Sequence, residues 1–479
     1  MQCAVKQLLT LDPADEGHVE AQMKKCNKLY NLLLETANSL REEYVKAQDP
    51  QVAKTLYTER GLRDLIPRFK EKHPFLKSVH SSPLKNAALS LSRAIQDYQK
   101  SRKGKRQGKK VGWPVYRSHK VKPMSLLYDE PNKGFKLDGR SLRLSLGTDA
   151  EGKKLYVTGD IERPITDFPD AVIRNLRIKR ENDRYYAVFT VEREFRPTRQ
   201  TEDKTSQQKR IIAFDPGHKT LSYGVDNTGL ATQIDNFPGA RYFEQQLDRI
   251  KSKRDRCKRK SQPVIRDEKV IYFKPSRRYT HLDNCYKRLL ERRRDSTKQM
   301  LETLANYLSK HYDVIAIGDY TPHGGGLNRG MRRSMNNLSL IGRFKKTTQW
   351  TALRSGRTYI EWAEHGSTKT CSHCGYKLTD GLTPDIRWWT CPSCHSYHHR
   401  DENAAMNGLK QIMQKELPCS GQIPQLTLRH RIKFTGRGLK ILEIAAVGTT
   451  STSPLRRSEA RRRDSQRKGM NTVPYGANA

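Results

Sequence analysis

The stretch "RIIAFDPGHKTLSYGVDNTG", residues 210–229, runs from four apolar residues, Ile211 to Phe214, straight into Asp215 and a Pro-Gly turn, after which a second strand-like run begins. A short, unbroken apolar run bounded by turn residues predicts a strand buried on both faces. Such a strand delivers Asp215 at its carboxyl end. An aspartate that only initiates the turn would have the same local sequence, so its role depends on what the rest of the chain supplies.

Downstream, residues 240–310 are strongly charged and read as helical. They lead into "DVIAIGDY", a second buried strand that ends at Gly318 and Asp319. Cys371 and Cys374 form one C-x-x-C, Cys391 and Cys394 another, with sixteen residues between them. This spacing predicts a zinc ribbon, in which four thiolates close one tetrahedral structural site and leave no position for substrate. Two unrelated thiol pairs, or disulfides, are the alternative. His373, His395, His398 and His399 are surplus to a complete cysteine set, and the last two read as phosphate neighbours or packing residues. Asp401 opens "DENAAMNGLKQIM", a predicted helix with Ala404, Ala405, Leu409 and Ile412 available for packing. Taken alone, an acid in a first helical turn most often only complements the helix dipole.

The chain has 479 residues, enough for two to four domains, with 91 Lys+Arg against 51 Asp+Glu and a net charge of +40. Such an excess repels itself unless a polyanion neutralises it, so nucleic acid is the expected partner. A ribosomal or chromatin protein would share the charge, but rarely this size or a ribbon. No stretch approaches the roughly 20 apolar residues of a membrane span. "MQCAVKQLLTLDP" lacks the apolar core of a signal peptide, and nine cysteines, five of them scattered, suit a reducing compartment. The expectation is a protein neither secreted nor membrane-bound.

In the N-terminal part, a short strand at 2–10 precedes a helix at 15–47. A second helix begins at "SSPLKNAALSLSRAIQDYQ", with Ser82 as N-cap and Pro83 in the first helical position. The basic run 100–110 offers Arg102, Lys103, Lys105, Arg106, Lys109 and Lys110 to phosphates, or is a solvated loop. From about 111 to 195 the pattern alternates in strand fashion, with a hairpin signal at Glu181-Asn182-Asp183. Short strands with aromatics and basic residues suggest a small β-barrel that grips nucleic acid. Residues 196–209 read as a polar linker. Residues 454–468, "PLRRSEARRRDSQRK", read as disordered, with a nuclear-import or RNA-contact role or none.

A buried strand ending on Asp215, a long basic helix, a strand ending in "GDY", a ribbon, and Asp401 in "HHRDENAAMNGL", in that order, resemble the TnpB family. These are transposon-encoded, RNA-guided DNA endonucleases, related to the Fanzor proteins and to type V CRISPR effectors. The resemblance is strong over 206–412 and extends plausibly to 1–205, where "LYNLLLETANSLREEY" is similar to the family's first recognition helix. It implies an α/β plus all-β chain. A wedge β-barrel of the oligonucleotide-binding type (1–12 and 111–205) would carry an inserted helical recognition lobe (13–110). An RNase H-like RuvC nuclease domain (206–365 and 396–412) would carry the zinc ribbon as a target nucleic-acid-binding insert (366–395). Residues 413–479 are left as a basic, disordered tail. The resemblance also implies one or two catalytic Mg²⁺ ions, a transposon-end-derived guide RNA, a double-stranded DNA target and a monomeric ribonucleoprotein. Its location would be nuclear in a eukaryotic host and otherwise cytoplasmic.

Asp215 matches the first RuvC acid and Asp401 the third. The second position departs from the commonest pattern, because Gly318 stands where most TnpB proteins have glutamate. Many Fanzor proteins, which the chain resembles most in this respect, carry that acid just ahead of the ribbon. Here that residue is Glu364, seven positions before Cys371. Glu361 and Asp319 are weaker candidates, and on a strand Glu361 and Glu364 would fall on opposite faces. The leading expectation is a metal-dependent RNA-guided DNA endonuclease that hydrolyses phosphodiester bonds through Asp215, Glu364 and Asp401. A cleavage-deficient, guided DNA-binding or regulatory protein is the alternative, and a DNA transposase a more distant one.

Overall fold

The computed structural model describes residues 2–118, 125–149, 151–165, 172–182, 184–192, 209–266, 269–320, 339–383, 385–416, 425–436 and 438–443. The chain divides into two compact units, Met1–Phe195 and Arg196–Ala479. The expected linker, apart from Lys209, and the tail segment 454–468 lie outside the described residues.

The first unit begins with β1 (Gln2–Leu11), followed by helices α1 (Pro13–Ala47), α2 (Pro50–Tyr57), α3 (Ile66–Lys72) and α4 (Ser81–Arg102). Six strands follow: β2 (Ser125–Tyr128), β3 (Phe135–Asp138), β4 (Ser141–Thr148), β5 (Lys154–Ile161), β6 (Val172–Glu181) and β7 (Arg184–Glu192). The helices are thus an insertion after the first strand. Pro13 at the start of α1 has no N–H to lose there, and Asp15 and Glu16 complement the helix dipole. Val19, Met23, Cys26, Leu29, Tyr30, Leu33, Leu34 and Ala37 form its buried stripe at three- and four-residue spacing. The helix stops where Gln48 turns left-handed, at φ 49°. Helix α4 is capped by His80, whose side chain accepts from Ser82 N, so Ser82 is not the N-cap and Pro83 is not the first helical residue. The Ser82 hydroxyl is instead committed to Asp129, accepting from its N–H at 2.9 Å.

All strand pairs in this unit are antiparallel, in the order β2-β6-β7-β1-β5-β4-β3. The expected hairpin joins β6 and β7, with Glu181 opposite Arg184 and Asn182 left-handed. Among the described residues no strand pairing closes this sheet into a barrel. The buried Tyr128 hydroxyl on edge strand β2 nevertheless donates to the Ser145 carbonyl on β4, 3.1 Å away, so the sheet curls on itself.

The second unit is built on a mixed sheet. Its elements are β8 (Ile211–Pro216), β9 (Ser222–Asp226), β10 (Leu230–Ile234), α5 (Gly239–Lys258), β11 (Gln262–Arg266), β12 (Lys269–Lys274), α6 (Arg277–His311), β13 (Val314–Gly318), α7 (Ile341–Arg354), β14 (Thr358–Trp362), β15 (Trp388–Thr390), β16 (Tyr397–His399), α8 (Arg400–Glu416), β17 (Leu428–Thr435) and β18 (Gly438–Glu443). The strand order is β14-β13-β8-β9-β10-β17-β18, with β8, β13 and β14 parallel and β9 reversed. Ile212, Phe214, Ile315 and Ile317 pack one face against α6 and α7, through Leu304, Leu308 and Phe344. Ile211, Ala213, Val314 and Ala316 pack the other against α8, through Ala405, Leu409 and Ile412. Covered on both sides, β8 is buried along its whole length, as its apolar run predicts.

Two expectations need correction. Residues 240–310 are not continuously helical, because β11 and β12 form an antiparallel hairpin between α5 and α6. The alternation in "PVIRDEKVIYF" favours strands over the helical reading that the surrounding charge suggested. Nor does the fold end at 412. Strand β17 pairs in parallel with β10 and buries Ile432 and Phe434, while β18 completes the edge. Half of β17 is Arg, His or Lys, which made it look like part of a basic tail. Its alternation nonetheless gives one apolar face.

Candidate active site and metal centre

Odd-numbered residues of β8 face α8, so Ile211 and Ala213 lead Asp215 out on that side of the sheet. Register places Ala316 beside Ala213 and Trp362 beside Gly318, and thereby brings Gly318 to the same face one step from Asp215. Trp362 is buried and donates its indole N–H to the Phe214 carbonyl at 3.1 Å, tying β14 to the residue before Asp215. Gly408 lets α8 sit on that indole, since an added Cβ there would lie 2.5–2.9 Å from three ring atoms. The helix start, with Asp401, is thereby held over the sheet.

Glu364 follows β14 by two residues, and its carboxylate fills the space in front of Gly318. A Cβ at 318 would overlap Glu364 Oε2 and lie 3.2 Å from Cδ. Asp319 holds that turn. Its N–H donates to the Trp362 carbonyl at 2.9 Å, and its Oδ1 accepts from Glu364 N at 3.1 Å. Glu361 projects from the other face, toward Lys345 at 3.5 Å and the Tyr359 hydroxyl at 3.2 Å. The predicted candidates therefore separate, with Glu364 on the Asp215 side, Asp319 bonded to the Glu364 backbone, and Glu361 away from both.

Asp215 is pushed well above the ordinary carboxylate range, first by burial and then by the charges of Glu364 and Asp401. Burial also raises Glu364, and the nearby charge of Asp319 works in the same direction. Asp215 Oδ1 and Glu364 Oε2 are buried without a hydrogen-bond partner. Leaving a buried carboxylate unpaired costs several kcal/mol, roughly, so such a pair takes up either a proton or a cation. An oxygen-rich donor set of this kind suits a hard divalent ion.

Asp401 is buried at the start of α8 but not idle. Arg387 Nη1 pairs with its Oδ2, and Arg400 Nε lies 3.2 Å from Oδ1. The three acids are electrostatic neighbours, but they are not drawn as close as the thiols. Among the described residues, the four cysteines are the only group of three or more such ligands whose atoms all lie within 4.8 Å of one another. Arg387 and Arg400 escaped the sequence reading. So did Arg429, bidentate to Glu402 at 3.0 Å. Arg400 could have been noticed from its adjacency to Asp401, whereas Arg387 arrives only when the ribbon folds back.

In the ribbon, Cys371 Sγ lies 3.7 Å from Cys394 Sγ, and Cys374 Sγ 3.6 Å from Cys391 Sγ. A tetrahedral site with Zn–S near 2.3 Å sets sulfurs about 3.8 Å apart, while a disulfide needs about 2.05 Å, so the set fits zinc. The knuckles match. Cys371 N bonds the Tyr376 carbonyl and Cys391 N that of Ser396, and left-handed residues Gly375 (φ 79°) and His395 (φ 59°) close the turns. The Ser396 hydroxyl draws the Cys394 thiol down to about 6, whereas burial raises Cys371 to about 12. His398 lies 3.2 Å from Cys371 Sγ and against Trp389, and His399 packs between Tyr223 and Trp388. His373 lies in the first knuckle, outside the thiol set.

The basic run forms the end of α4 and the coil beyond it. Arg102, Lys103, Lys105, Lys109 and Lys110 are exposed, Arg106 partly so, and none pairs with an acid among the described residues.

The family model described as "Cas12f1-like, TNB domain" matches residues 342–408, from α7 through the ribbon into α8. TnpB-like protein L79 of Acanthamoeba polyphaga mimivirus is 28% identical over 222 residues, which are 43% of this chain and 41% of that protein. A Mycobacterium tuberculosis protein with the provisional name RNA-guided DNA endonuclease is 25% identical over 333 residues, 66% of this chain and 64% of its own length. This chain thus spans less than half of the viral relative and just under two thirds of the bacterial one. In fold it is similar to a Cas12f1 protein solved by cryo-EM with sgRNA and target DNA, at a TM-score of 0.50 and 10% identity, over 85% of this chain and 98% of that one. With a buried acid near the end of β8, a second acid two residues beyond β14, a four-cysteine ribbon and a third acid just beyond it, these likenesses identify the chain as a member of the TnpB family.

Proposed function

We propose that this protein is an RNA-guided DNA endonuclease in which Glu364 replaces the glutamate missing at Gly318, as in Fanzor-type members. The observation that carries this reading is the Glu364 carboxylate in front of Gly318, with an unpartnered buried oxygen beside that of Asp215. The names of the bacterial relative and of the Cas12f1 complex support guide RNA and DNA as partners, as does the net charge of +40.

Asp215, Glu364 and Asp401 would hold Mg²⁺. When bound, one or two such ions activate water and stabilise the leaving oxygen of a phosphodiester. The chain's own contribution is positional and electrostatic. A proton taken up by the Asp215–Glu364 pair in the metal-free fold would spare two negative charges from facing each other. Asp319 fixes the Glu364 backbone, and Trp362 fixes the strand end that carries Asp215. Arg387 and Arg400 neutralise Asp401, and a guanidinium there can also meet an incoming phosphate bidentately. In this reading the exposed run 102–110 grips guide or target phosphates, and base pairing with the guide selects the site.

A second reading, a guided binding protein without cleavage, rests on that same pair of arginines on Asp401, which compete with a metal for its oxygens. The deciding experiment is co-expression of the protein with its flanking noncoding sequence. The co-purified RNA is sequenced, and Mg²⁺-dependent cleavage of matched duplex DNA is then assayed. Cleavage abolished by Asp215→Ala supports the endonuclease, and guided binding without cleavage by the wild type supports the second reading.

A further inference from the structure

In the N-terminal unit a cavity of about 690 Å³ opens among α1, α4, residues 111–117 and strands β2 and β6. Its lining includes Arg93, Arg117 and Arg177, with Ser90 and Ser125, and contains no carboxylate. Arg93 pairs with Glu59 at the surface, 3.1 Å away. The other two arginines face inward. The Arg117 guanidinium lies 3.5 Å from the Tyr30 ring centroid and donates to Ser90 Oγ at 2.8 Å. Among the described residues, Arg177 reaches only Ser125 Oγ, at 3.4 Å. Neither pairs with an acid among the described residues, and the sequence 118–124 that joins the two walls contains no Asp or Glu.

Burial is the first cause lowering both guanidiniums, and the charge of Arg177 pushes Arg117 further the same way. Two half-buried like charges without a counter-ion work against folding. The stack on Tyr30 accounts for Arg117 in part, whereas among the described residues Arg177 has only the long Ser125 contact to offset its burial. An anion between them would reward both. The volume suits a nucleotide-sized ligand. The exposed basic run feeds directly into the wall, where Val111 N is pinned to Ser101 Oγ at 2.9 Å.

We propose that this cavity is an anion site that takes a phosphodiester group of bound nucleic acid between Arg117 and Arg177. The anion site follows from the cavity itself, while naming its ligand as nucleic acid rests on the proposed function. Arg177→Gln in the full chain, without added divalent metal, tests it. Three quantities are compared with wild type: melting temperature alone, its rise with inorganic phosphate, and salt-dependent binding of labelled single-stranded RNA and duplex DNA. The variant should melt at or above the wild-type temperature and lose most of the phosphate-induced rise. It should bind at least one nucleic acid several-fold more weakly, with a salt slope shallower by about one. Wild-type affinity and slope in the variant would overturn the proposal, as would a clearly lower melting temperature of the free variant, the mark of a structural arginine. If wild type binds no nucleic acid but keeps a phosphate response that Arg177→Gln loses, the anion site stands and the functional reading falls.

Discussion

Glu364 stands where a side chain on Gly318 would begin: the acid and the empty position share one volume next to Asp215. A side chain at position 318 and the Glu364 carboxylate therefore exclude each other.

Glu364→Gln should therefore reduce DNA cleavage by at least about 100-fold while leaving guided binding intact, because it removes a metal-holding charge and little volume. Gly318→Glu alone should lower activity by crowding the filled site. In the Glu364→Gln background it should restore part of it. Cleavage kinetics and gel-shift affinities for the four proteins check this, and wild-type rates from Glu364→Gln would exclude the assignment.

Asp319 should behave as a positioning residue. Its contact with Glu364 is through an acceptor oxygen that asparagine retains. Asp319→Asn should stay near wild type, whereas Asp319→Ala should lose about 10–100-fold in rate. Equal loss in both variants would point to direct metal binding instead.

The raised carboxyl groups make a prediction about pH. Asp215 and Glu364 hold protons more tightly folded than unfolded, since burial raises both. Their contribution to stability is complete below the unfolded carboxylate range, about pH 4, and is lost as pH rises through the folded values. Asp215→Asn removes that loss, so in metal-free protein it should raise the melting temperature more at pH 8 than at pH 5. Calorimetry at the two pH values tests this, and an equal gain at both would contradict it.

Arg387 connects ribbon and centre. With the guanidinium removed from Asp401, Arg387→Ala should bind Mn²⁺, a spectroscopic substitute for Mg²⁺, several-fold more tightly, as titration by electron paramagnetic resonance would show. Unchanged affinity would mean that the arginine does not compete with the ion.

Zinc should be present at one per chain. Stripping it with a thiol-competitive chelator should unfold the ribbon, whose small core is little more than Cys371, Cys391 and Trp389. Elemental analysis and protease sensitivity of residues 366–395 measure both, and a metal-free ribbon of unchanged protection would refute the site.

What the sequence disclosed follows from how local each signal is. Ile211 to Asp215 and the two C-x-x-C pairs carry their meaning within a few residues, and both are found where expected. Glu364 was readable only as a distance from Cys371, through resemblance, because nothing local separates it from Glu361. The pairing of Arg387 with Asp401 was not readable, since it is created when the ribbon folds back. Strand β17 was missed for a physical reason: its polar half is so basic that composition concealed an alternation which only a neighbouring strand edge makes useful.

That late strand has a cost in time. Strand β10 is complete at Ile234, but its parallel partner begins at Leu428, roughly 190 residues later. At synthesis rates of about 5–20 residues per second, an open backbone edge two strands from β8 and Asp215 waits about 10–40 s on the ribosome. An unpaired edge can template pairing with other chains. A nascent chain whose central sheet gains this strand so late is therefore most vulnerable to aggregation before Leu428–Thr435 has been made.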